Sequence, residues 1–173
     1  MQDNKCSDRG HADVSGPAGR APKAGYSLEA PFYLSEEVFQ ADLETIWARH
    51  WIHVGVEADV PEPGDYTVVG FGRYSVIIVR AADRVVRAFH NVCRHRGARI
   101  LNDERGSAAK LVCGYHRWTY DLSAPLVFAE HLAPGIDVSC LGLKPVHLHS
   151  LSGLLFICLP WAKNWKKILS SSG

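Results

Sequence analysis

The chain has 173 residues, 47% hydrophobic and 21% charged, which is enough for one ordinary hydrophobic core. A formal net charge of +1 excludes any global electrostatic case for nucleic acid or an anionic membrane surface. No apolar run approaches the ~20 residues that span a bilayer, and the N-terminus lacks a secretory h-region, so the expected location is the cytoplasm.

Residues 1–25 are rich in Gly, Pro, Ala and charge without periodicity, which predicts a disordered leader. Residues 26–60 read as a helical lead-in. Ser35 is the expected N-cap, and Glu36 and Glu37 suit the positive helix end. Phe39, Leu43, Ile46, Trp47 and Trp51 recur at helical spacing as its expected buried stripe.

From 61 to 160 the texture is short β-rich runs: YTVV, YSVIIVR, VVRAFH, KLVC, RWTY, KPVHLH and LLFICL. Gly72-Arg73 and Ala82-Asp83 are the candidate hairpin tips. The expected fold class is mainly β, a compact antiparallel domain with one N-terminal helix. Residues 161–173, basic and ending in serines, read as a frayed tail.

Of five cysteines, Cys6, Cys140 and Cys158 show no disulfide spacing and read as free thiols, Cys158 as a buried one. Cys93 and Cys113 are different. Each opens a short loop that also holds a histidine: Cys93-x-His95 and, after seventeen residues, Cys113-x-x-His116. Two such loops can clamp one centre from opposite sides. A zinc site accepts two Cys and two His, although zinc modules more often pair like with like. Buried thiols beside surface histidines would be the bland reading. A [2Fe–2S] cluster, one iron on the two cysteines and the other on the two histidines, suits mixed pairs best, because each loop then gives one ligand to each iron. His147 and His149 share a strand face and read as solvent-facing, and His11, His50, His53, His90 and His131 have no second ligand at suitable spacing.

The stretch CRHRG…CGYHRWTYDL resembles the Rieske iron–sulfur motif of ring-hydroxylating oxygenase α subunits. FYLSEEVFQADLETIWARHWIHVG, EPGDY and GLKPVHLHSLSGLLFICL are similar to that family's helical lead-in, first β turn and domain end. Within the family, the ligand loops are most similar to those of members that oxidise quaternary ammonium compounds such as glycine betaine or stachydrine. The resemblance implies a Rieske-type β domain whose [2Fe–2S] cluster is held by Cys93, His95, Cys113 and His116, with the histidines near the surface. It also implies electrons supplied by a ferredoxin or a flavin-dependent reductase, and homotrimers as a common assembly. Nucleic acid and membrane are not expected partners.

Respiratory Rieske proteins carry an extra cysteine in each loop, joined as a disulfide; the corresponding positions here are Ala98 and Tyr115. Trp118 stands where those proteins place a hydroxyl donor, so fewer hydrogen bonds to sulfur and a low potential are expected. Arg94, Arg96, Arg99 and Arg117 form a basic rim, either facing an acidic donor protein or paired with Asp103, Glu104 or Asp121. Trp118 and Tyr120 are expected to pack under the loops.

Two positions depart from the family. Arg117 replaces a common glycine, and Ala124, before Pro125, replaces the glycine of a DLSG turn, which predicts a rearranged turn. The family's α subunits continue into a catalytic domain with a mononuclear iron held by two histidines and a carboxylate, and no stretch here offers that triad. Three readings follow. The chain is the Rieske domain of an oxygenase α subunit, transferring electrons without hydroxylating; or a stand-alone Rieske ferredoxin; or a zinc-stabilised binding module.

Overall fold

A computed structural model describes residues 25–130, 132–133 and 135–159. The leader through residue 24, the tail from 160, Cys6 and His131 lie outside the described residues. Two compact units divide at Ala41 and Asp42.

The first unit carries helix α1 (Pro31–Leu34) and all but the last residue of helix α2 (Glu36–Asp42). Ser35 behaves as expected of a cap, its Oγ accepting the Val38 amide at 3.4 Å. Two acidic residues then occupy the positive end of α2.

The second unit opens on a wide π-type turn, Leu43–Trp47, in which the Ala48 amide donates to the Leu43 carbonyl at 2.9 Å. The predicted apolar stripe is largely not buried. Leu43 is 4% exposed, whereas Phe39, Ile46 and Trp47 are 51%, 50% and 44% exposed. Leu43 is buried because Gly72, with φ of 54°, lets the hairpin tip close on it; a Cβ there would stand 2.7 Å from Leu43 Cδ1. Trp51 belongs to no helix, and its ring meets His149 edge-on at 6.3 Å.

Strand β1 (Ile52–Val56) follows at once, inside the segment read as helical lead-in. Then come β2 (Asp65–Phe71), β3 (Tyr74–Arg80), β4 (Val86–His90), β5 (Arg105–Ser107), β6 (Leu111–Val112), β7 (Thr119–Tyr120), β8 (Leu126–Phe128), β9 (Pro145–Leu151) and β10 (Leu154–Cys158). Seven of them form one sheet in the order β1-β10-β9-β4-β3-β2-β5, and β6-β7-β8 form a second. Every pairing is antiparallel. The mainly antiparallel β class with a short helix is therefore correct.

Strand β3 explains where the cores sit. Its run YSVIIVR is apolar on both faces, as a doubly covered strand requires. Val76 and Ile78 join Ala88, Val146, Leu155 and Ile157 in one core. Ile77 and Val79 join Phe89, Leu111, Trp118 and Tyr120 in the other. Cys93 and Cys113 belong to this second core, so the chemistry is built onto its edge. Cys158 is buried as expected.

At the turn 121–125, Ala124 is not drawn into the extended backbone usual before a proline. Asp121 anchors the turn by accepting the Ser123 amide at 2.9 Å and hydroxyl at 2.7 Å, while its own amide reaches the Pro125 carbonyl at 2.8 Å. Ala124 instead takes the glycine conformation, with φ of 97°. The hydrogen bonds keep the turn, and the alanine carries the strain.

Candidate metal centre

Two loops build the site. Loop 1 leaves β4 at His90 and carries Cys93 and His95; loop 2 is the tip of the β6–β7 hairpin and carries Cys113 and His116. Their backbones follow one pattern. The Cys93 amide donates to the Ala98 carbonyl at 2.8 Å, and the Gly97 amide returns to the Cys93 carbonyl at 3.0 Å. The Cys113 amide donates to the Trp118 carbonyl and the Arg117 amide to the Cys113 carbonyl, both at 2.9 Å. Each loop thus folds back on its cysteine, and the residue four after the cysteine has positive φ: 74° at Gly97 and 58° at Arg117. Glycine adopts that conformation at no steric cost, and arginine does not.

The four donors arrive as two pairs. Cys93 and Cys113 are buried with their thiols against each other. Burial pushes the Cys113 thiol above its ordinary pKa, and the neighbouring Cys93 thiol adds to the effect. His95 and His116 are half-buried, their rings 4.7 Å apart and edge to face. Burial holds His95 below the usual histidine pKa, with His116 and then Arg96 adding repulsion. Trp118 stacks on His95 at 4.8 Å and 10°, which fixes the imidazole plane. Among the described residues, no three His, Cys, Asp or Glu side chains converge on a single metal position.

His116 Nδ1 is buried and meets no hydrogen-bond partner, and neither does Trp118 Nε1. Buried polar atoms are nearly always satisfied, so an orphaned imidazole nitrogen beside a second imidazole marks a place for a ligand. Two soft thiols on one side and two nitrogen donors on the other fit a dinuclear iron–sulfur group.

The model of the Rieske [2Fe-2S] domain matches residues 50–141. The chain belongs to the Rieske family. Its members' cofactor is the [2Fe–2S] cluster, for which the donor set described above is suited. The glycine betaine monooxygenase oxygenase subunit of Pseudomonas aeruginosa is 38% identical over 141 residues, covering 81% of this chain and 33% of that protein. The large oxygenase component of a naphthalene 1,2-dioxygenase system, also from Pseudomonas aeruginosa, is 40% identical over 141 residues, with 79% and 31% covered. The apo crystal structure of the quaternary ammonium Rieske monooxygenase CntA superposes with a TM-score of 0.72 at 31% identity, covering 80% of this chain and 41% of that one. The chain thus spans about a third of the length of the curated relatives it matches.

Several expectations from the Rieske resemblance can be placed. Trp118 and Tyr120 are both buried beneath the loops. Arg94, Arg96, Arg99 and Arg117 are exposed, and none forms an ion pair among the described residues. The alternative pairing with Asp121 is not seen, because Asp121 binds Lys110. Val92 and Tyr115, both exposed, stand in the same loops.

One contact escaped the sequence reading. Tyr120 Oη lies 3.2 Å from Cys93 Sγ and accepts the Arg94 amide at 3.0 Å. With its lone pair engaged by that amide, the hydroxyl proton is available to the sulfur. Burial raises the phenol's pKa, and the Cys93 contact raises it further, so the hydroxyl stays a donor. The available signal was strand alternation, which puts Tyr120 on the same face as Trp118.

Proposed function

We propose that Cys93 and Cys113 hold one iron and His95 and His116 the other iron of a [2Fe–2S] cluster, and that the domain relays electrons. The observation that carries this reading is the orphaned, buried His116 Nδ1 set against the His95 ring, next to a buried thiol pair. The group supplies one-electron acceptance and release when bound. The protein's own residues do the rest. Tyr120 hydrogen-bonds the Cys93 sulfur, Trp118 orients His95, and the second core excludes water from the thiols.

The whole oxygenase reading extends further. We take the Rieske domain, whose sheet already includes β1, to be part of a ring-hydroxylating-type α subunit. Its reductant is a ferredoxin or a flavin-dependent reductase, and its electrons go to a mononuclear iron in a catalytic domain. The unpaired arginines of loops 1 and 2 favour a donor with an acidic face. Quaternary ammonium compounds are the substrate class favoured by likeness to the glycine betaine monooxygenase subunit.

Anaerobic purification with iron, acid-labile sulfide and zinc analysis, followed by EPR of the reduced protein, tests the core of this reading. Equal iron and sulfide, two of each per chain, with a reduced-state signal of a mixed Cys/His cluster, is the expected result. Zinc without iron would overturn it.

A further inference from the structure

The two loops are not equally supported. Loop 2 is flanked on both sides by paired strands, Leu111 facing Tyr120 and Val112 facing Thr119. Loop 1 has a strand on its entry side only. It departs from β4, and the next strand, β5, pairs with β2 rather than with β4. No strand partner therefore holds the exit of loop 1 at Ile100 and Leu101.

Asn91 occupies that gap. Its side chain is buried, with 1% of the residue exposed. Oδ1 accepts the amides of Ile100 and Leu101, each at 3.0 Å. Nδ2 donates to the Leu101 carbonyl at 2.7 Å and to Ser75 Oγ at 3.1 Å. The Asn91 backbone amide adds a bond to the Ser75 carbonyl at 2.9 Å. A carboxamide has two donor hydrogens and two acceptor lone pairs, and all four are used. One side chain thus reproduces what a neighbouring strand would offer, tying entry to exit and both to β3. Cys93 and His95 lie between the two tied ends.

We infer that Asn91 is a positioning residue for the metal centre, setting the base of loop 1 so that Cys93 and His95 face Cys113 and His116. It acts through the loop and supplies no ligand. The inference rests on the cluster reading above. It separates from a purely structural role because a buried polar latch on one loop acts locally, whereas loss of core packing elsewhere lowers stability without touching the ligands.

The test uses the full 173-residue chain. Asn91→Ala and Asn91→Asp remove the donors, Ser75→Ala removes one bond, and Leu155→Ala opens a cavity in the other core. Each is measured for iron and sulfide content, EPR of the dithionite-reduced state, midpoint potential and Tm. Both Asn91 variants are expected to show altered EPR lines, a displaced midpoint and on the order of tenfold faster iron loss to a chelator. Ser75→Ala should move the same readouts less. Leu155→Ala should lower Tm with wild-type EPR and midpoint.

Asn91 variants with a wild-type spectrum and potential would overturn the inference, as would equal spectral changes in Leu155→Ala. If the Asn91 variants do not fold, Ser75→Ala decides, and an unchanged spectrum there overturns it as well. A wild-type chain that holds no iron–sulfur cluster is a separate outcome, and it refutes the cluster reading rather than the role of Asn91.

Discussion

At the scale of single residues, the site shows where side-chain chemistry is placed against backbone preference. Arg117 sits at φ of 58° in the position that loop 1 gives to Gly97. Left-handed backbone costs a non-glycine residue about 1 kcal/mol, so Arg117→Gly should raise stability by ~1 kcal/mol in urea titration. A loss of stability would mean that the guanidinium makes compensating contacts. Tyr120 offers a second prediction. A hydrogen bond to sulfur stabilises the electron-rich reduced state, so Tyr120→Phe should lower the midpoint, by about 60 mV if that bond is worth a factor of ten for a one-electron couple. Asp121 gives a pH dependence. Its bond from Lys110, then those from Ser123, hold its carboxyl down to about 2 from a usual 3.8. A depressed folded-state pKa means stability present above pH 3.8 and lost as pH falls toward 2. Asp121→Asn should cost about 1 kcal/mol at neutral pH, after allowing for screening, and progressively less in acid-unfolding curves as pH falls through the folded-state pKa.

At the scale of elements, short strands are specified by their partners more than by their own residues. Strands β5 and β8 are three residues long, too short for their sequences to show alternation. Strand β5 is legible only from its surroundings, because Tyr66 lies across Gly106 so closely that a Cβ there would be 2.6 Å from Tyr66 Oη. The β2–β3 hairpin shows the same dependence. Gly72 was readable as a turn residue, but its contact with Leu43 was not. Gly72→Ala should therefore cost about 2 kcal/mol, combining positive φ with overpacking, as seen in the denaturation midpoint. A cost below ~1 kcal/mol would show that Leu43 moves aside freely. The apolar stripe of the lead-in misled for a related reason. Helical spacing records which residues share a face, and it does not say whether that face is covered within this chain.

At the scale of the whole molecule, charge is distributed unevenly although the net value is near zero. Among the described residues, Arg73, Arg80, Arg84, Arg87 and Arg105 each pair with a carboxylate, while the four arginines of loops 1 and 2 pair with none. A surface of this kind steers an acidic partner through long-range attraction, which salt screens over a Debye length of ~10 Å at 0.1 M. Stopped-flow reduction by an acidic ferredoxin should slow as salt rises, and an Arg94→Glu/Arg96→Glu double variant should slow it further with the midpoint little changed. Rates independent of salt would remove the arginines from docking.

The candidate donor set could be read because its chemistry is local: four donors in two short loops, with spacings that only a few metal groups accommodate. Ala98 and Tyr115 were equally informative, since the absence of two thiols needs no coordinates. The long strands β2, β3, β4, β9 and β10 could also be read, because each is long enough to show an apolar run or an alternation. Tertiary structure decided the rest. It brought Tyr120 to Cys93 across 27 positions in sequence, closed loop 1 through Asn91, and left His116 Nδ1 buried without a partner. Each of these depends on contacts between segments distant in sequence, and the pairing of the strands sets which segments meet.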